Sequence, residues 1–170
     1  MRVLAVKARP DIRVDGGFRR AETGDPEGML PERIVGLDQA AEVLDQADYV
    51  LVAAPLTPAT RGALGRTVLG SMRPDAWLIN VGRGGLFDED ALIDALRERR
   101  IGGAVLDVAW REPLEASNAV WSLPNVIVTP HVAGLSPTTW HALADLFAQN
   151  LARYVSGEPL LNQVDPAHGY

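Results

Sequence analysis

Five short apolar runs constrain the fold of this chain more than any other feature: Val3–Val6, Tyr49–Ala53, Trp77–Val81, Ala104–Val108 and Val126–Thr129. Each is nearly continuous rather than alternating, the pattern of strands that are covered on both faces of a parallel sheet. Helical patterns lie between them. Asp38–Gln46 sets Ala40, Ala41, Val43 and Leu44 on a polar background. Asp88, Glu89 and Asp90 open a second helix with Ala91, Leu92, Ala95 and Leu96 as its stripe; it ends in Arg97-Glu98-Arg99-Arg100 before Gly102, so its charges suit the dipole at both ends. Ser136 as N-cap and Pro137 at N1 open a third, with Trp140, Leu143, Ala144, Phe147, Leu151, Tyr154 and Val155 at 3-and-4 spacing before Gly157. Strands alternating with helices imply right-handed crossovers and an α/β fold with an open parallel sheet, helices on both faces. Residues 10–36, rich in Gly and Pro, break the rhythm and read as one long surface loop.

Composition removes several classes of function. The 170 residues fit one domain. Sixteen Lys+Arg against 22 Asp+Glu give a net charge of −6 with no basic stripe, which argues against nucleic acid or an anionic membrane as partner. There is no Cys, hence no disulfide, thiolate metal site or thiol nucleophile, and no metal site is expected. No apolar run approaches the roughly 18 residues of a membrane span, and Met1-Arg2-Val3-Leu4-Ala5-Val6 has no signal-peptide character, so a cytoplasmic protein is expected.

In an open parallel sheet, ligands bind outside the carboxyl ends of the strands. Four segments fall there: Ala54-Pro55-Leu56-Thr57-Pro58-Ala59-Thr60, Gly82-Arg83-Gly84-Gly85, Asp107 with Glu112 five residues on, and Thr129-Pro130-His131. Singly, each has an ordinary structural explanation: a solvated turn arginine, a hydrogen-bonded histidine, a capping or loop acid. Together they are more telling. An Arg fork binds a carboxylate and polarises an adjacent carbonyl, and a His beside a carboxylate suits acid/base work near neutral pH. These are the parts needed to move a proton while a hydride leaves a cofactor. His141 and His168 read as surface residues, and Trp77, Trp121 and Trp140 as core or interface; Trp110, beside the proposed site, has no assigned role.

Asn80-Val81-Gly82-Arg83-Gly84-Gly85, Leu106-Asp107-Val108 with Glu112-Pro113-Leu114, Leu123-Pro124-Asn125-Val126 and Thr129-Pro130-His131-Val132-Ala133-Gly134, preceded by Pro55-Leu56-Thr57-Pro58 and Thr60, resemble the D-isomer-specific 2-hydroxyacid dehydrogenases in order and spacing, from about Val3 to Asp165. The resemblance implies hydride transfer between NAD(P) and a 2-hydroxy or 2-keto acid. It implies that Arg83 clamps the substrate carboxylate and carbonyl, that His131 is the acid/base and that Glu112 orients it. It further implies that Asp107 contacts the nicotinamide carboxamide, and that Ala54, Pro55, Thr60, Val81, Gly82 and Gly134 line the cofactor.

Two departures from the family pattern shape the expectation. The phosphate-binding GxGxxG turn is not in this sequence, so residues 1–156 are expected to form a partial NAD(P)-binding domain lacking its first strand-helix unit, followed by a tail over 157–170. Where the family often carries an Asp for the adenosine ribose, the first run continues Lys7-Ala8-Arg9; cations there favour the 2′-phosphate, so NADP is expected over NAD. Association into a homodimer through uncovered apolar surface is expected as well. The alternative is a non-catalytic remnant, or an oligomerising interaction module that keeps the fold.

Overall fold

A computed structural model describes residues 1–14, 17–18 and 23–166. The chain divides into two units, Met1–Leu37 with Leu135–Ala167, and Asp38–Gly134.

In the first unit, β1 (Leu4–Val6) pairs in parallel with β2 (Arg33–Val35), Leu4 beside Arg33 and Val6 beside Val35. The long Gly/Pro-rich stretch is therefore not loop throughout: its last residues form a strand. Three residues are too few to show periodicity, but Glu32 N–H donates to the Val3 carbonyl and Lys7 N–H to that of Val35, extending the pairing at both ends. Gly16 and His168 lie outside the described residues. The long helix of this unit, α4, runs Thr139–Ser156 and closes at Gly157, whose φ of 70° is the left-handed conformation expected of a glycine C-cap. Its start differs from the sequence expectation: Thr138, not Ser136, is the N-cap residue. Ser136 and Pro137 lie in a preceding turn, with the Ser136 N–H donating to the Thr139 hydroxyl at 3.0 Å. No residue of α4 is buried.

The second unit carries a four-stranded parallel sheet in the order β3 (Tyr49–Val52), β4 (Trp77–Asn80), β5 (Gly103–Leu106), β6 (Val126–Val128). All five expected strand runs are strands, with ends shifted by a residue or two. Val52, Leu78, Asn80, Ala104 and Leu106 alternate onto a buried face, while Leu51, Ile79, Val105 and Ile127 align across the other, which is more accessible. Between the strands lie α1 (Ala41–Leu44), α2 (Arg66–Gly70) and α3 (Glu89–Arg97). Around Asp38–Gln46 a 3₁₀ turn (Leu37–Gln39) is followed by a single α-helical turn, and α2 escaped the sequence reading because five residues carry too little pattern.

Helix α3 follows its sequence signals. Asp88 accepts the Ala91 N–H at 2.8 Å as N-cap, Glu89 and Asp90 occupy the first turn and Arg97 the last. Ala91, Leu92, Ile93, Ala95 and Leu96 are buried with Leu69, Leu78, Leu86 and Ile101. Each large side chain in this core contributes about 1.5–3 kcal/mol of transfer free energy. Trp121 and Trp140 are exposed and Trp77 half-buried, so none of the three belongs to the core.

Candidate functional site

The four loops that follow β3, β4, β5 and β6 form one continuous edge at the carboxyl ends of the second sheet. Glycine makes this possible at two points. A Cβ on Gly82 would lie 2.9 Å from the Ala54 carbonyl oxygen, and one on Gly84 would lie 2.1 Å from the backbone of Ala109. The β4 loop thus touches the β3 loop on one side and the β5 loop on the other, backbone against backbone. Gly62 N–H donates to the Gly85 carbonyl and Leu64 N–H to that of Leu86, tying the β3 and β4 loops further.

Buried polar groups fix the individual loops. Asn80, the last residue of β4, accepts the Gly82 N–H through Oδ1 at 3.1 Å and donates through Nδ2 to the Arg83 carbonyl at 3.2 Å. Arg83 is thereby held at the turn, its guanidinium exposed and donating to the Gly82 carbonyl at 2.7 Å. In the β3 loop, Thr57 and Thr60 exchange hydrogen bonds between side chain and backbone, and Thr60 Oγ1 donates to the Pro55 carbonyl at 2.7 Å.

Asp107, one residue past β5, is buried to 4% exposure. Its Oδ1 accepts the Thr129 hydroxyl at 2.5 Å and the Val132 N–H at 3.0 Å; Oδ2 accepts the Ala133 N–H at 2.8 Å. Burial pushes this carboxyl up, but the Thr129, Ala133 and Val132 donors outweigh it, and the group ends below its ordinary range. These bonds bracket Pro130 and His131, and the His131 φ of 57° is an uncommon conformation for a non-glycine residue. Asp107 therefore staples the turn that presents the histidine. Oδ2 accepts one of these bonds and has a lone pair to spare, so the carboxylate can also accept an amide donor from a ligand.

His131 Nδ1 lies 2.7 Å from Glu112 Oε2, and Glu112 Oε1 accepts the Ala109 N–H at 3.0 Å. The histidine hydrogen bond, followed by the Ala109 N–H, holds the Glu112 carboxyl below its ordinary range, and the nearby Arg83 charge adds to this. With Nδ1 directed at a carboxylate, Nε2 is the nitrogen free to exchange a proton with a ligand. Arg83, Glu112 and His131, expected together from the sequence, meet at one edge.

Of the other expected site residues, Ala54, Pro55, Thr60, Val81, Gly82, Asp107 and Gly134 lie on this same set of loops. Lys7 and Arg9 lie in the first unit. The Lys7 ammonium donates to the Ile12 carbonyl, and Arg9 is exposed. Sequence reasoning assigned no role to Asn80 or Thr129, yet a signal existed: each is a polar residue at the end of a mostly apolar strand run, where its side chain must find partners.

A family model described as the NAD-binding domain of D-isomer-specific 2-hydroxyacid dehydrogenases matches residues 21–133. Among curated proteins, the chain is 43% identical over 126 residues to a glycerate dehydrogenase of Methylorubrum extorquens, covering 73% of this chain and 40% of that protein. It is 40% identical over 124 residues to glyoxylate/hydroxypyruvate reductase B of Pectobacterium carotovorum, with 73% and 39% covered. The chain thus spans about two-fifths of the length of these relatives. The fold is similar to that of a D-isomer-specific 2-hydroxyacid dehydrogenase of Xanthobacter autotrophicus in complex with NADPH and MES, with a TM-score of 0.79 and 36% identity over 100% of this chain and 73% of that one. It is also similar to an NADPH-dependent glyoxylate/hydroxypyruvate reductase of Sinorhizobium meliloti in complex with NADP and sulfate (TM-score 0.72, 32% identity, 89% and 48% covered). The parallel strands, the four adjoining loops and these matches together establish that the chain belongs to the D-isomer-specific 2-hydroxyacid dehydrogenases, through their Rossmann-like NAD-binding domain.

Proposed function

We propose that this chain carries the catalytic edge of an NAD(P)-dependent reductase for small 2-keto acids, of the glyoxylate or hydroxypyruvate class. The observation that carries this reading is the His131–Glu112 pair at 2.7 Å beside an exposed Arg83 whose backbone a buried asparagine fixes. Arg83 binds the substrate carboxylate and polarises the adjacent carbonyl, a role suited to its planar fork of donors. His131 Nε2 donates the proton to the carbonyl oxygen as the alcohol forms. Glu112 holds the ring in the productive orientation. The nicotinamide cofactor, when bound, supplies the hydride. Asp107 would hold its carboxamide, with Ala54, Pro55, Thr60, Val81, Gly82 and Gly134 along the same edge, while residues 1–156 make up a partial NAD(P)-binding domain followed by a tail over 157–170.

NADP is the favoured cofactor. Lys7 and Arg9 provide positive charge after β1, and both solved structures above that hold a cofactor hold its phosphorylated form. Association as a homodimer fits the uncovered stripe of α4, where Trp140, Phe147 and Tyr154 are all at least 70% exposed. That stripe also supports the second reading, an oligomerising module that keeps the fold without turnover. Among the described residues no helix is long and apolar enough to cross a membrane, and a cytoplasmic location fits the proposed substrates.

The test is NADPH oxidation on adding glyoxylate or hydroxypyruvate. His131→Ala is expected to lower kcat about 10²- to 10⁴-fold, and Arg83→Ala to raise KM and lower kcat together. Unchanged turnover in either variant would refute the roles. A wild-type chain that associates but never oxidises NADPH would favour the second reading.

A further inference from the structure

Trp110 is used by none of the roles above, yet it lies where the two halves of the edge join. Its indole, half-buried, donates from Nε1 to the Phe87 carbonyl at 3.1 Å. Phe87 is itself buried and closes the short turn Gly84–Leu86, which begins directly after Arg83. The Trp110 backbone belongs to the same contact: a Cβ on Gly84 would lie 2.4 Å from its nitrogen. One residue earlier, the Ala109 N–H donates to Glu112, whose other oxygen meets His131. A continuous path therefore runs from the arginine turn through Trp110 to the acid/base pair. Arg83 and Glu112 follow different strands, and the chain joining them passes through α3 and β5, so local covalent geometry does not fix their separation. Packing at Gly84 sets how close the loops come. The indole N–H sets where one lies along the other.

We infer that Trp110 is a positioning residue that registers the Arg83 turn against the Glu112–His131 pair. The inference rests on the reading of these three residues as one site. A 2-keto acid presents its carboxylate and carbonyl on adjacent carbons, so its two protein partners must keep a fixed separation, and misplacement by about 1 Å can cost on the order of a hundredfold in rate. An indole serves this purpose well, because one rigid side chain supplies both a buried surface and a donor with a single direction.

The experiment compares wild type with Trp110→Phe, which keeps an aromatic ring and removes the N–H. Trp110→Ala serves as the harsher variant. Amide hydrogen exchange resolved by NMR should rise about fivefold to tenfold at Leu86, Phe87 and Ala109 together in Trp110→Phe, with Val81, Ala104 and Asp107 unchanged. The first set reports the turn after Arg83 and the bond to Glu112; the second reports the strand ladder. A rise confined to Leu86 and Phe87, a uniform rise at every protected amide, or no rise would overturn the inference. In NADPH-dependent glyoxylate reduction, KM for glyoxylate should rise at least fivefold in the same variant. Loss of active protein with KM within twofold of wild type would mark a merely structural role. A wild-type chain that does not reduce glyoxylate would refute the proposed function, and the exchange pattern would still decide the inference.

Discussion

The carboxyl edge of β3–β6 and the helix α4 are opposites in how they treat polarity. At the edge, Asn80 and Asp107 are buried, and their hydrogen bonds hold the turns of Arg83 and His131. Along α4 most large apolar side chains are exposed and none is buried. Burying a polar group is costly unless its bonds are made, so a buried and satisfied one reports a geometry the fold holds in place. An exposed apolar stripe reports area available for association. The first region holds a fixed polar geometry, and the second presents open apolar area.

The largest expected break in this comparison is in stability. Leu92→Ala, at a fully buried position, should cost about 2–5 kcal/mol in denaturant unfolding, whereas Leu151→Ala on α4 should stay within about 0.5 kcal/mol. Equal losses would mean α4 is packed in solution.

Asp107 sharpens the edge side of the comparison. Asp107→Ala removes the buried acceptor of three hydrogen bonds and should cost about 1–3 kcal/mol. The Asp107 carboxyl titrates below its ordinary 3.8 in the folded protein, so its contribution is present above that value and lost as pH falls through the folded one. Glu112 behaves alike relative to 4.5. Unfolding midpoints should therefore hold from neutral pH to about 5 and fall below about 4, less steeply in Asp107→Asn. A midpoint that falls equally in that variant would remove Asp107 from the account.

Smaller effects concern the first unit. If Lys7 meets the cofactor phosphate, Lys7→Asp should reduce the preference for NADP over NAD about tenfold in paired calorimetric titrations. Identical preference before and after the substitution would show that the ammonium serves only the Ile12 carbonyl. Phe147→Ser should leave stability nearly unchanged yet shift light scattering toward monomer. A wild-type chain already monomeric at micromolar concentration would refute association through α4.

The candidate site residues were legible because chemistry and spacing coincide: Arg83, Asp107 and His131 each follow a strand by one to three residues, where a parallel sheet gathers its loops. Their supports were not. Asn80 reads as the end of a strand until its amide is seen bonding both neighbours of the turn, and Thr129 as a loop hydroxyl until it meets Asp107. Strand β2 was hidden because Arg33-Ile34-Val35 is short and follows glycines and prolines; pairing with β1, rather than local preference, makes it a strand. In α4 the spacing announced the helix and its Gly157 end. Periodicity says which face is apolar and nothing about what covers it.

The most direct test of the central claim, that Arg83 and the His131–Glu112 pair face one ligand, is an NMR titration with oxalate, a two-carbon dicarboxylate that mimics the adjacent carboxylate and carbonyl of a 2-keto acid. With NADPH present, the Arg83 Nε–H and the His131 ring resonances should shift together and saturate with a single Kd, and Arg83→Ala should abolish the response of His131. A response at one residue without the other, or an unchanged His131 response in Arg83→Ala, would contradict it.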